Sequence, residues 1–222
     1  MDSITKPVGG DRTADEKTHF YETDQPHRLR HNPFKSLVAP RPIGWVSTIS
    51  QAGKVNLAPF SFFNAVADQP PIVIIACNGS HQDGGAKDTL ANIRETGEFV
   101  CNIATWELRE QMNLSSADAP HGVDEMVLAG LAPAPSRLVK PPRVALAPAH
   151  LECVHLQTVE LPTTRAGSAN NTIFGRVVGV HISTDIIRDG MIDMTRFRPI
   201  ARLGYNDYTV VREVFTMLRP KL

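Results

Sequence analysis

Cysteine is scarce in this sequence and poorly spaced for chemistry. Only three of the 222 residues are Cys, at 77, 101 and 153, and no Cys-x-x-Cys pair occurs. An odd, scattered set provides neither a disulfide framework nor a zinc site, so the thiols are expected to stay reduced and pack as small hydrophobes. Excess charge is also missing, because 23 Lys plus Arg balance 23 Asp plus Glu. A nucleic-acid-binding surface normally carries a basic excess, so the balance favours a small-molecule partner. Long apolar runs are absent as well. The longest, residues 72–77, is far too short to span a bilayer, and the opening MDSITKPVGGDRTADEKTHF has no apolar core for a secretory signal. The expectation is a cytoplasmic protein with no nucleic-acid or membrane partner. A GxGxxG fingerprint is missing, and so is the regular strand–helix alternation that accompanies it, which argues against a doubly wound dinucleotide fold. The histidines offer no metal spacing: His27 and His31 stand four apart, but Pro26 and Pro33 oppose a helix there.

What is present suits a packed β domain. Hydrophobic residues make up 42% of the chain, enough for a core. Residues 1–18 are polar, lack periodicity and read as a flexible arm, leaving 19–222 as a single domain. PIGWVSTIS reads as a strand, QAGK as a turn, and the chain from Lys54 as the return strand of a hairpin. IVIIAC and FVCNIA read as further strands, with DTLANIRETGE between them as a helix that Asp88 or Thr89 would cap and Gly97 would end. Thr105 is placed to cap a second short helix. Residues 116–147 are Pro-rich and irregular, an excursion over the surface or a partner. AHLECVHLQTVEL and NTIFGRVVGVHIS are long strands, and EVFTML is a last strand or helix. Six or seven strands in hairpin succession with two or three short helices indicate an antiparallel barrel with helical decoration.

Four segments could carry chemistry. NLAPFSFFN, residues 56–64, is interrupted by Pro59 and dotted with Asn56, Ser61 and Asn64, so the strand must bend or run along an edge and leave backbone groups free. That suits a flat heteroaromatic ligand with a polar edge; a bulge at a barrel corner with core phenylalanines is the structural alternative. GGAKDTLANI places a Gly-rich loop before a helix start, where backbone N–H groups, the helix dipole and Lys87 together suit an anion. In TIFGRVVGVHIS one strand face carries Ile173, Gly175, Val177, Gly179 and His181, with the glycines leaving room for a ligand or another backbone. ARLGYNDYT presents Arg202 and two tyrosines from a loop.

Together, FKSLVAPRPIGWVSTIS, GKVNLAPFSFFNAVADQPPIVII, KDTLANIRETGEFVCNIAT, FGRVVGVHI and RLGYNDYT resemble the flavin reductase-like family of FMN-binding split barrels. The resemblance runs from about Asn32 to Phe215. It implies a mainly β, antiparallel Greek-key split barrel with a few short helices, a homodimer, and one FMN per subunit. By the family pattern, flavin contacts fall on Ser47 and Thr48, on Asn56, Leu57, Ala58, Pro59, Ser61, Phe62, Phe63 and Asn64, and on Lys87, Asp88 and Thr89 at the phosphate. His181, Arg202 and Tyr205 match positions near the flavin or the partner subunit, with His181 and Arg202 as candidate catalytic groups. The loop CNGSHQDGGAKDT is longer than the short turn typical of close relatives. The implied activity is an NAD(P)H:flavin oxidoreductase that passes electrons to an oxygenase or other acceptor. An FMN-binding electron carrier reduced by a partner protein is the alternative.

Overall fold

The computed structural model describes residues 18–221. All of the expected arm but Thr18 lies outside them. A single helical turn, α1 (Phe34–Leu37), leads through β1 (Arg41–Pro42) into β2 (Gly44–Ile49). The turn after β2 closes through Gly53 at φ 79°, a left-handed conformation glycine adopts without penalty. The chain returns as β3 (Val55–Phe60), paired with β2 from Gly44 opposite Phe60 to Ile49 opposite Val55. β3 has no second strand partner and forms an edge of the sheet. The Leu57 N–H points to that free side, where it donates to Glu125 Oε2 at 2.8 Å. Pro59 lies two residues further on the same side, so its missing N–H interrupts no bond to β2. The edge position expected from the proline is therefore the one observed.

Ser61 and Phe62 turn the corner into β4 (Phe63–Asp68), which pairs with β5 (Pro71–Asn78). Helix α2 (Asp88–Thr96) precedes β6 (Glu98–Ile103), and the two longest strands are β9 (Ala149–Leu161) and β10 (Asn170–Ile182). Together they make a seven-stranded sheet in the order β3-β2-β6-β9-β10-β5-β4, antiparallel throughout. Its two edges, β3 and β4, are consecutive in the chain, so the sheet must curl until they approach. The result is an antiparallel split barrel.

The remaining elements are short. Trp106–Leu108 form a 3₁₀ turn before α3 (Arg109–Leu114), where the sequence suggests one continuous helix from Thr105. α4 (Glu125–Leu128) and the pair β7 (Pro133–Ala134) and β8 (Arg143–Val144) lie within the Pro-rich excursion. The β11 (Ile187–Arg188) and β12 (Met191–Ile192) ribbon and α5 (Met194–Phe197) follow, and β13 (Ile200–Gly204) joins β1 and β14 (Asp207–Val210) in a small sheet. Residues 211–221 have no regular structure, in contrast to the strand or helix expected at EVFTML. Among the described residues five α-helices form rather than two or three. Among them only α2 exceeds six residues.

Alternation along the strands builds two cores. Val46, Ile75, Phe99, Cys101, Cys153 and Ile173 fill the barrel, whereas Trp45 and Leu57 point to its outside. There the excursion covers them with Met126, Leu131 and Val144, so this segment is the lid of a second core. All three cysteines are buried and free, consistent with their role as small hydrophobes.

Gly175 answers to this packing. A Cβ there would stand 2.2 Å from Cζ of Phe99, a fully buried ring. The room expected at these glycines for a ligand or another backbone is taken at Gly175 by the Phe99 ring and at Gly179 by Leu138 and Glu152. Gly175→Ala is expected to lower stability by about 2 kcal/mol or more through overpacking. A urea titration followed by tryptophan fluorescence checks this, with a fall in the midpoint at constant slope.

Candidate functional site

The free edge of β3 and the start of α2 meet at one cleft with an empty volume of about 680 Å³. Asn56, Ala58, Pro59 and Phe60 line it from the strand, and Lys87, Asp88 and Thr89 from the helix. Two segments separated by more than twenty residues in sequence are thus brought to one place. Lys87 is the N-cap residue of α2 by position, in place of the expected Asp88 or Thr89, and no side chain caps the helix. The first-turn N–H groups and the positive end of the dipole therefore stand at the cleft. Among the described residues no carboxylate pairs with Lys87.

Asp88 does different work. Its carboxylate accepts from His121 Nδ1 at 2.5 Å and from the Gly122 N–H at 3.0 Å, which ties the 119–122 loop to the helix start. The Asp88 hydrogen bond, the largest influence, holds the exposed His121 imidazole above its usual pKa. His81 stacks face to face on His121 at 3.4 Å between centroids. Its Nε2–H donates to Ala119 O, and its Nδ1 accepts from the Asp83 N–H. One nitrogen or oxygen from each of His81, Asp88 and His121 falls within 4.8 Å of the others. Both ring nitrogens of His81 and Nδ1 of His121, however, are already engaged in hydrogen bonds.

Behind the cleft lies a buried polar cluster. Asn56 Nδ2 donates to Thr89 Oγ1 at 2.9 Å and to Thr48 Oγ1 at 3.3 Å, and Asn92 Nδ2 donates to Thr48 at 3.0 Å. Thr48 thus holds Asn56 and Asn92 together by accepting from both. Ser47 is fully buried, with its hydroxyl donating to Pro142 O at 2.5 Å. The Leu57 side chain faces the outer core. Glu125 lines the cleft, and burial is the leading cause that raises its carboxyl pKa.

The rest of the 56–64 segment turns away from the cleft lining. Ser61 is half-buried at the corner, and Phe63 packs in the barrel against Gly44. Phe62 lies 5.8 Å from the Arg41 guanidinium, and exposed Asn64 accepts from the Ala65 N–H. His181, Arg202 and Tyr205 lie elsewhere too. Pro59, Trp45, Asn102, His150 and His181 form one row across five neighbouring strands. At about 4.8 Å per step, His181 is roughly 19 Å from Pro59 along the sheet. Arg202 donates to the Tyr208 hydroxyl and the Tyr205 carbonyl, and Tyr205 packs on His31. Sequence reading did not select Ser115–Ala119, Ser80, His81, Gln82 or Glu125 as lining. Most come from irregular loops with no periodicity, and Glu125 opens the four-residue α4; His81 in the long Gly-rich loop was the one available signal.

The family model described as flavin reductase like domain matches residues 37–201. The chain belongs to the flavin reductase-like family. An uncharacterized protein of Deinococcus radiodurans is 38% identical over 210 residues, 91% of this chain and 89% of its own. The crystal structure of nitrilotriacetate monooxygenase component B from Bacillus cereus is 29% identical with a TM-score of 0.78, covering 90% of this chain and 100% of that one. The 2-nitrobenzoate 2-nitroreductase of Pseudomonas fluorescens gives 26% identity and the same TM-score, with coverage of 91% and 96%. The matched region of this flavin reductase-like chain includes both arms of the cleft, β3 and the start of α2. Among the described residues no helix is long and apolar enough to cross a membrane.

Proposed function

We propose that this chain is an FMN-dependent oxidoreductase that takes hydride from NADH or NADPH and passes electrons to a separate acceptor. The observation that carries this reading is the cleft where the free edge of β3 meets Lys87 and the uncapped start of α2. Its donor set fits FMN at both ends. Free backbone carbonyls at Leu57 and Pro59 on the sheet edge suit the ring N–H of a flat heteroaromatic ligand, while a lysine and a helix N-terminus suit a phosphate. When bound, the flavin supplies two-electron chemistry, and the protein supplies position and electrostatics.

The chain's own residues hold that position. Glu125 fixes Leu57 through its N–H, and the Thr48–Asn56–Thr89–Asn92 cluster locks β3 to α2, so both arms of the cleft keep one spacing. Pro59 keeps a further strand from pairing at that edge. The acceptor is proposed to be an oxygenase, a reading supported by the monooxygenase component among the similar structures.

An absorption spectrum of the purified protein with FMN, followed by anaerobic NADH or NADPH, tests the reading. Bound flavin that bleaches supports the reductase. Bound flavin that stays oxidised transfers the assignment to an electron carrier, and absence of flavin binding defeats both.

A homodimer is proposed with it. Phe215, Met217 and Leu218 are 86%, 82% and 88% exposed on the irregular segment 211–221. Such apolar surface is commonly covered by a partner. Sedimentation is expected to give about twice the 24.3 kDa chain mass. Truncation after Arg212 is expected to shift it toward monomer, and a wild-type monomer at micromolar concentration refutes the dimer.

A further inference from the structure

A second cleft, with an empty volume of about 720 Å³, opens where β9 and β10 meet the excursion. It shares no lining residue with the first. Arg137, Arg143, His150, His181 and Ser183 supply its polar wall. Gly179 makes this wall possible. Leu138 Cδ1 lies where a Cβ on Gly179 would come within 3.2 Å, so the absent side chain lets residues 137–139 settle onto the strand. Their N–H groups then converge on the fully buried Glu152 carboxylate at 2.8, 2.6 and 3.2 Å.

Glu152 also accepts from His181 Nε2–H at 2.5 Å. That bond sets the ring's orientation and leaves Nδ1 as its other polar atom. The one carboxylate beneath the cleft is therefore saturated by four donors and does not pair with either arginine. Arg143 Nε and Nη2 rest on Pro135 O, and among the described residues neither arginine is ion-paired. His150 is 3% exposed in the same wall. Its Nε2–H donates to Val144 O, and among the described residues its buried Nδ1 has no hydrogen-bond partner. In a chain of zero net formal charge, the wall thus carries two arginine cations against the one buried carboxylate of Glu152.

We propose that this cleft binds a small organic oxyanion, held by Arg137 and Arg143 with His181 as a positioned third contact. Guanidinium pairs favour carboxylate and phosphate alike because each offers two oxygens to a planar fork. The site is independent of the flavin assignment, since it shares no residue with that cleft.

The test is a titration of the full-length protein with sodium phosphate and, separately, sodium benzoate, at fixed pH and ionic strength. The readout is the side-chain nitrogen resonances of His181 by NMR. A saturable shift is expected with at least one anion, weakened roughly tenfold or more in R137Q/R143Q. Saturation by phosphate alone assigns a phosphorylated ligand, and by benzoate alone a carboxylate. Both substitutions change side chains at the cleft wall, and an unchanged melting temperature verifies the variant's fold. A variant that melts early is replaced by R137Q alone, whose side chain carries no structural bond and which must still weaken binding. No saturable shift with either anion, a shift reproduced by chloride, or equal affinity in the variant overturns the proposal.

Discussion

Lys87→Ala is expected to weaken FMN binding by roughly ten- to a hundredfold and to leave riboflavin binding unchanged. The two ligands share the isoalloxazine and differ in the phosphate, so the ratio isolates what Lys87 contributes there. A hydrogen bond to a charged group contributes about 1.5–3 kcal/mol, which corresponds to that range. Among the described residues Lys87 has no acidic partner to lose, and it caps α2 by position and not through its side chain, so the alanine variant should fold. Quenching of flavin fluorescence on titration gives both constants. Equal loss for FMN and riboflavin would refer the effect to structure, and no loss for either would remove Lys87 from the site.

The second large effect is on stability in acid. Burial, the leading cause, drives the His150 pKa down from 6.5 to about 4. The neutral imidazole is the form that fits, with Nε2–H bound to Val144 O and no acceptor near Nδ1. The folded-state pKa lies below the unfolded value, so the unfolded chain binds the proton first as pH falls. Stability is then complete above pH 6.5 and declines by about 3 kcal/mol as pH falls toward 4. Glu152 and Asp193, whose carboxyls are held below their usual range, lose stabilisation in the same direction at lower pH. His150→Gln preserves a donor toward Val144 O and removes the titration, so the difference between wild type and variant isolates this histidine. Urea unfolding at several pH values is expected to show a flatter profile for the variant between pH 6.5 and 4. Parallel profiles would show that His150 titrates normally.

The local features of the fold were legible because short-range chemistry decides them. Gly53 and Gly97 mark a turn and a helix end through their positive φ. Pro59 announces an edge because a proline N cannot donate to a ladder on that side. Two of the four chemical segments, NLAPFSFFN and GGAKDTLANI, do meet at one cleft. Other readings failed for equally specific reasons. Gly175 and Gly179 read as room for a ligand or another backbone; the Phe99 ring fills the first, and the loop at Leu138 settles on the second, both from positions far away in sequence. Asp88 read as a cap, but His121 and Gly122, more than thirty residues on, claim its carboxylate.

By itself the sequence determined the antiparallel β class, the hairpin, the edge strand and the anion-ready helix start, because each depends on residues within one or two turns of chain. Only the tertiary structure decided which of these face one another. The excursion had no periodicity to read, yet its Met126, Leu131 and Val144 close the outer core. Its amides hold Glu152, and its arginines line the second cleft. Those placements follow from how the curled sheet and its lid exclude water from a shared core. No local pattern encodes that result.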